Sequence, residues 1–331
     1  MPSRYLVTGG SGFLGSACVR RLVKEGHTVR VLDNHLRGRP RRLRDVADDI
    51  EMVEGDVRDA AAVRNSVAGV DEVVHLAFLN GTEFFYQYPE LVLDIGIRGM
   101  LNVLDACRSE QVGRLVLASS SEAYQKPPCV PTPENVPLVV PDVLNPRYSY
   151  GGGKLICELM AVNWGRTGFE RVTIFRPHNI YGPDMGWEHV IPQFCLRLLD
   201  LIDESPSGRL LFELKGSGTQ TRAFCHVDDF TEGLMCLLAR GQHLGVYNIG
   251  NPEEVSVAEL ARRTGVYFQR EVEIKQTEAF AGETFHRCPD ISKLRALGYN
   301  PRISLAQGLG DAMAWYVHNR HLRSDRMRVT D

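Results

Sequence analysis

The eight cysteines include no Cys-X-X-Cys pair, so neither a disulfide frame nor a conventional zinc ligand set is expected, and no metal site. They read as reduced, mostly buried thiols of a cytoplasmic protein. No apolar run approaches the ~18–20 residues of a membrane helix. Nor does a charged start with an apolar stretch precede the first strand, so no secretory signal is expected. A surplus of one charge sign is also missing: 38 basic against 41 acidic residues leave a net charge of -3. No chain-wide positive field exists to hold a polyanion, which excludes nucleic acid as the main partner. Repeats and long low-complexity linkers are absent. What remains is an ordinary globular balance, 44% hydrophobic and 24% charged over 331 residues. That length suggests two domains, or one large domain with a lobe.

The first half alternates strand and helix. Strands are predicted over 4–8, 27–33, 50–53, 72–77, 114–119 and 171–176, with helices over 13–25, 89–108 and 150–164. This rhythm predicts an α/β fold, a doubly wound Rossmann-type parallel sheet covered on both faces. After about residue 176 the rhythm changes, and helices over 190–201, 228–240, 257–263 and 305–319 alternate with Gly/Pro-rich loops. We expect a dinucleotide domain over 1–176 with a later return to the sheet near 224–250. A smaller C-terminal α/β substrate lobe over 177–320 and a flexible tail over 321–331 complete the division. The segment 37–44, RGRPRRLR, holds five arginines. It reads first as a solvated loop, second as a loop beside a phosphate or partner.

Thr8-Gly9-Gly10-Ser11-Gly12-Phe13-Leu14-Gly15 joins the first strand to the first helix. Gly9, Gly12 and Gly15 permit a tight turn and close approach of a pyrophosphate, which the helix N-terminus then attracts. Asp33 ends the second strand, where a carboxylate accepts hydrogen bonds from ribose hydroxyls and repels a 2′-phosphate, favouring NAD over NADP. Asp56 follows the third strand, where it can meet the adenine edge. Both acids can also be plain loop residues.

Ser119-Ser120-Ser121-Glu122-Ala123-Tyr124 leaves the fifth strand, and Tyr150-Gly151-Gly152-Gly153-Lys154 places Tyr150 and Lys154 on one helix face. A free phenol, with its pKa of ~10, is a poor base. An ammonium close by, together with an oxidised nicotinamide, favours the phenolate: one unit charge at ~4 Å in an effective dielectric of ~20 contributes about 4 kcal/mol, or up to ~3 pKa units, enough to make Tyr150 a base near pH 7. The phenolate then takes an alcohol proton while hydride leaves the same carbon. The three glycines imply close approach of something bulky, such as the cofactor.

Together these residues resemble the extended short-chain dehydrogenase/reductase family, the NAD-dependent nucleotide-sugar epimerases and dehydratases. The matching pieces are TGGSGFLG at 8–15, VLDN at 31–34, GDVRD at 55–59, HLA at 75–77, SSSEAY at 119–124, YGGGK at 150–154, RPHNIYGP at 176–183, TRAFCHVDD at 221–229 and RCPDISK at 287–293. The resemblance covers nearly the whole chain. It implies Ser120, Tyr150 and Lys154 as catalytic residues, with Glu122 beside them. For NAD it implies Gly9, Gly12, Phe13, Leu14, Asp33, Asn34, Asp56, Val57, Leu76 and Ala77, besides Tyr150 and Lys154. For a nucleotide-diphosphate sugar it implies Asn80, Thr82, Ser121, Asn179 and Val190, with Arg222 and Arg287 supplying positive charge to the diphosphate. It also implies a homodimer through a four-helix interface of the helices near 90–108 and 150–166, although Leu91, Leu101 and Ile156 fit an internal core equally well. One departure is Gly96, where many members carry Asn. Another is Phe78-Leu79-Asn80-Gly81-Thr82-Glu83 after HLA, where Asn80, Thr82 and Glu83 either read an unusual sugar or only shape the loop.

Members of this family first oxidise a sugar carbon, usually C4. Return of hydride to the other face gives an epimer. Dehydratases usually carry an Asp-Glu pair, which here is Ser121-Glu122. Ser-Glu also resembles the sugar-acid decarboxylases, whose residues between Tyr and Lys are usually charged. We therefore expect first an epimerase acting at C4. A nucleotide-sugar acid decarboxylase or 4,6-dehydratase using Glu122 comes second. A simple dehydrogenase, or a regulator that binds NAD without catalysis, comes last. Trp187 and His189 lie in a loop expected over the sugar, with His189 read as a structural or helix-start residue rather than a catalytic one.

Overall fold

A computed structural model describes residues 2–278 and 286–324. Its centre is a parallel sheet built from β1 (Arg4–Thr8), β2 (Thr28–Asp33), β3 (Ile50–Glu54), β4 (Glu72–His75), β5 (Arg114–Ala118) and β6 (Arg171–Pro177), with Gly245–Ile249 on the edge beyond β6. Across the sheet the order is Gly245–Ile249, β6, β5, β4, β1, β2, β3. Alternate residues of each strand enter opposite cores, as the two-residue period requires. Leu6, Leu32, Val73 and Leu115 pack on one face, and Val7, Val31, Val74 and Val116 on the other. The order reverses between β1 and β4, which opens a crevice at the carboxyl ends of those strands.

The connecting helices are α1 (Phe13–Lys24), α2 (Ala60–Val67), α3 (Thr82–Gln87), α4 (Pro89–Leu93), α5 (Gly99–Ser109) and α6 (Tyr148–Gly165). Helix α2 was not expected. Asp59 caps it by accepting from the Ala61 and Ala62 amides, a start signal that the short apolar pattern obscured. The single helix expected over 89–108 is instead α4 and α5 joined by a π turn, Asp94–Arg98. Gly96 and Gly99 sit in that region because Phe78 and Val57 press against their backbones. Two weak helix formers and two intruding side chains account for the irregular turn.

The helix Val227–Arg240 and the strand Gly245–Ile249 return to the large sheet and its second core, and much of the remaining chain forms a smaller α/β lobe around a third core that includes Trp187, Phe194, Phe212, Leu309 and Tyr316. Leu210–Lys215 pairs in parallel with Val272–Thr277, and Glu254–Ser256, Thr221–Ala223 and His286–Arg287 form a small mixed sheet. The tail expected to begin at 321 starts as an ordered 3-10 turn, Arg320–Ser324. Arg320 pairs with Asp200 and Asp203, Arg323 pairs with Asp200, and Leu322 packs on the lobe core. Residues 325–331 lie outside the described residues. Among the described residues no helix is long and apolar enough to cross a membrane.

Candidate active site

A cleft of about 860 Å³ runs from the glycine turn, past the ends of β1, β4 and β5, to the lobe. At its first end, Gly9 has a positive φ of 71°, and a Cβ there would lie 2.9 Å from the Ala77 backbone. A Cβ on Gly15 would lie 2.1 Å from the Gly9 carbonyl oxygen. These two glycines bring the strand end and the helix start together. No side chain caps α1, whose N-cap is Gly12, so its first N–H groups face the cleft as an anion site. The buried Asp33 carboxylate accepts from the Ser11 amide at 2.9 Å and the His35 amide at 2.8 Å.

At the middle of the cleft the ends of β5 and α6 converge. Ser120, Tyr150 and Lys154 are all buried there and all line the wall. The Ser120 hydroxyl accepts from the Glu122 amide at 3.1 Å and hydrogen-bonds the Tyr150 phenol. Phe85 stacks on the Tyr150 ring at 5.0 Å, while Phe78 meets it edge-on at 5.2 Å. Lys154 Nζ donates to the Ala118 carbonyl at 2.7 Å and lies 4.1 Å from the centre of the Phe78 ring.

The electrostatics correct two expectations. Burial pushes the Tyr150 phenol up to about 12; the Ser120 hydrogen bond and the Arg37 charge oppose the rise, and the Glu122 charge adds to it. The ammonium of Lys154 is committed to Ala118 and Phe78, and burial lowers it to about 8. The anticipated fall of Tyr150 to near neutrality therefore does not arise from Lys154 in this arrangement. Second, the Gly151–Gly153 run is approached by protein, not by open cofactor space. Cβ atoms there would meet Gln125 and the Glu122 carbonyl at Gly151, Val140 at Gly152, and Phe78 at Gly153.

Toward the lobe, Glu122 forms a two-pronged ion pair with Arg287, its Oε2 accepting from Nη2 at 3.2 Å. Burial alone would raise this carboxyl. The Arg287 charge and hydrogen bond, followed by the Arg147 and Arg222 charges, outweigh it and hold Glu122 below the usual carboxylate range. Asn80, Thr82, Ser121 and Asn179 also line the wall. Asn179 holds a positive φ of 41° and donates to the Ala223 carbonyl at 3.0 Å.

A family model described as the NAD dependent epimerase/dehydratase family matches residues 5–250. The chain belongs to this family. UDP-glucuronic acid decarboxylase 6 of Arabidopsis thaliana is 35% identical over 314 residues, spanning 92% of this chain and 86% of the relative. UDP-glucuronic acid decarboxylase 1 of Xenopus tropicalis is 32% identical over 319 residues, spanning 95% of this chain and 72% of the relative. Among solved structures, a dTDP-glucose 4,6-dehydratase from Streptomyces venezuelae with NAD bound superposes with a TM-score of 0.84 at 30% identity, covering 96% of this chain and 98% of that one.

The protein is thus an enzyme of a nucleotide-sugar-modifying, NAD-dependent epimerase/dehydratase family, and its cleft fits the cofactor. The uncapped α1 start, the glycine cradle and the Asp33 carboxylate are the groups that a dinucleotide needs. Of the residues anticipated for NAD, Gly9, Gly12, Phe13, Leu14, Asp33, Asn34, Val57, Leu76 and Ala77 all line the cleft, with Tyr150 and Lys154. Asp56 is not part of this lining; Arg58 and Asn34 hold its carboxylate. Val190 and Arg222 are likewise outside it. Val190 opens the helix Val190–Glu204 and packs on the lobe core, while Arg222 donates to the Thr221 carbonyl at 2.8 Å and acts on Glu122 by its charge.

The arginine segment is not the solvated loop of the first reading: Arg37, Arg39, Arg41 and Arg42 line the cleft, which suits the second reading of a loop beside a phosphate or partner. Arg37 pairs with Glu188 and donates to the Asn80 carbonyl, while Arg41 and Arg42 both engage Asp184. These contacts strap the sheet side to the lobe. Their acids lie 142 to 151 residues later, which no local pattern reveals. Trp187, expected over the sugar, packs on Trp315 and Tyr316 while keeping an edge on the cleft. His189 takes the helix-start position, at the N-cap of Val190–Glu204.

Proposed function

We propose that the protein is a decarboxylase of a nucleotide-diphosphate uronic acid, with UDP-glucuronate as the first substrate to test. The Glu122–Arg287 pair carries this reading. A 4,6-dehydration needs a group that protonates the departing C6 hydroxyl. Position 121 is Ser, and Glu122 is held ionised. Epimerisation at C4 needs no charged pair at the sugar end. A uronate brings a C6 carboxylate for which Arg287 supplies the counter-charge. The named activities of the curated relatives support the same choice over the epimerase that the motifs alone favoured.

NAD, held by the glycine cradle and Asp33, would accept hydride from sugar C4 and give it back to the same carbon once carbon dioxide has left. Tyr150 removes the proton from the C4 hydroxyl, and Ser120 hydrogen-bonds the same oxygen. The resulting 4-ketone stands β to the C6 carboxylate. The C5–C6 bond breaks, its electron pair enters the C4–C5 enolate, and carbon dioxide leaves. Ser120 and the protonated Tyr150 hold the enolate oxygen. Glu122, ionised beside the departing carboxylate, favours its exit as a neutral molecule. C5 then takes a proton, and Tyr150 returns one to O4 as the alcohol reforms.

The reading includes Asn179 and Arg222 as diphosphate-side groups and the Asp33 carboxylate on the adenosine ribose, while Arg287, expected on the diphosphate, is assigned to the sugar carboxylate beside Glu122. It also includes a homodimer, since Leu101 on α5 and Ile156 and Leu159 on α6 are 38%, 39% and 57% exposed and do not belong to the internal core. Incubation with UDP-glucuronate carrying carbon-13 at C6 and with NAD tests the activity. Labelled bicarbonate and a UDP-pentose are expected; an epimeric uronate that keeps its label would overturn the reading.

A further inference from the structure

The departures at 78 and 96 and the last glycine of the run, Gly153, meet at one place. The Phe78 ring fills the notch that a side chain at 96 would need: a Cβ on Gly96 would lie 2.3 Å from its ring carbons. On α6 a Cβ at Gly153 would lie 3.0 Å from the same ring. The π turn Asp94–Arg98 carries the Gly96 side of the notch. So seated, the ring presents its face to Lys154 Nζ at 4.1 Å and its edge region to Tyr150 at 85° between planes. A ring face attracts a cation, the more so where water is scarce.

We propose that Phe78 is a positioning residue that holds the Lys154 ammonium and orients Tyr150, and that Gly96 and Gly153 exist to admit its ring. The inference rests on the catalytic assignment of Tyr150 and Lys154 made above. Lys154 is otherwise faced by Tyr150, Cys157 and Glu158 from its own helix and by His75 at the end of β4, with Arg176 of β6 neutralising Glu158. Cys157 and Glu158 favour its charged form, and burial opposes it. Weakening the ring's negative face removes support for the ammonium, so the titration of Lys154 moves to lower pH.

The test keeps the ring's shape and changes its electrons. Phe78 is replaced by 4-fluoro-, 3,5-difluoro- and 3,4,5-trifluorophenylalanine in the full chain with NAD bound. Lys154 is then titrated by NMR of lysine labelled with carbon-13 at Cε, assigned with Lys154→Arg. Its midpoint is expected to fall stepwise, by about half to one pH unit across the series. The alkaline limb of the pH–kcat profile should follow, with substrate KM within about twofold. Gly96→Ala, which pushes the ring aside, should shift the midpoint as Phe78→Leu does, and the double variant should be no worse than either. A midpoint that stays constant across the fluorinated series overturns the inference, as do additive effects of the two substitutions. Tyr150→Phe separates the two readings. Retained turnover would remove the catalytic assignment itself, whereas loss of turnover with a flat fluorinated series would remove only the role of Phe78.

Discussion

The Glu122 carboxylate and the Arg287 guanidinium, 165 residues apart in the chain, close on each other on the wall of the cleft. Each neutralises the other in a part-buried place where an unpaired charge would be costly. Replacing Glu122 by Gln keeps the shape and removes the charge. Carbon dioxide release is expected to fall by about 10² or more, with the protein still binding NAD. Arg287→Lys keeps the charge but loses the planar fork, so KM for the uronate should rise more than kcat falls. Steady-state kinetics with labelled UDP-glucuronate check both, and unchanged release in Glu122→Gln would contradict the pairing's role.

The strap between the sheet side and the lobe is a stability device with a single acid at its centre. Asp184, 17% exposed, serves both Arg41 and the nearly buried Arg42. Asp184→Ala leaves two guanidinium groups poorly compensated. Breaking such a pair is expected to cost about 3 kcal/mol of unfolding free energy. Denaturant unfolding measures this, and a loss within ±0.5 kcal/mol would mean the strap carries no weight.

Two buried imidazoles make the fold sensitive to acid. His75 is lowered to about 3 by burial and then by the Lys154 charge, and His178 to about 4, chiefly by burial. Their unfolded counterparts titrate near ~6.5. Between those values the unfolded chain binds protons that the fold refuses. This part of the stability is complete above ~6.5 and is lost as pH falls toward 4. With two such groups the slope approaches about 2.7 kcal/mol per pH unit by pH 5. Unfolding midpoints at pH 7, 6 and 5 read it out, and His178→Gln should halve the slope.

The exposed face made by Leu101, Ile156 and Leu159 predicts self-association through α5 and α6. Leu159→Glu should convert a dimer to a monomer in light scattering after size exclusion, while the thermal transition stays cooperative. A wild-type protein that is monomeric at micromolar concentration would contradict the interface.

The parts that were legible in sequence are those encoded locally. Gly9, Gly12 and Gly15 lie within seven residues, Tyr150 and Lys154 within one helical turn, and the alternating apolar strands state their own pairing. Side-chain partnerships across the fold were not legible. The five arginines of 37–44 looked solvated because Asp184 and Glu188 come much later. Nothing in Tyr150-Gly-Gly-Gly-Lys154 tells that Phe78 intervenes to draw off the ammonium, or that Phe85 covers the phenol. The raised Tyr150 is a consequence of that packing. The π turn was invisible for the same reason, since Gly96 alone reads as a weak point in an otherwise helical stretch.

Turnover of UDP-glucuronate in deuterated water is the most direct test of the sugar-end assignment. Loss of C6 as carbon dioxide leaves C5 to be reprotonated, so the account predicts a UDP-pentose with one deuterium at C5. A product that retains all six sugar carbons, inverted at C4 and free of solvent deuterium, would contradict it.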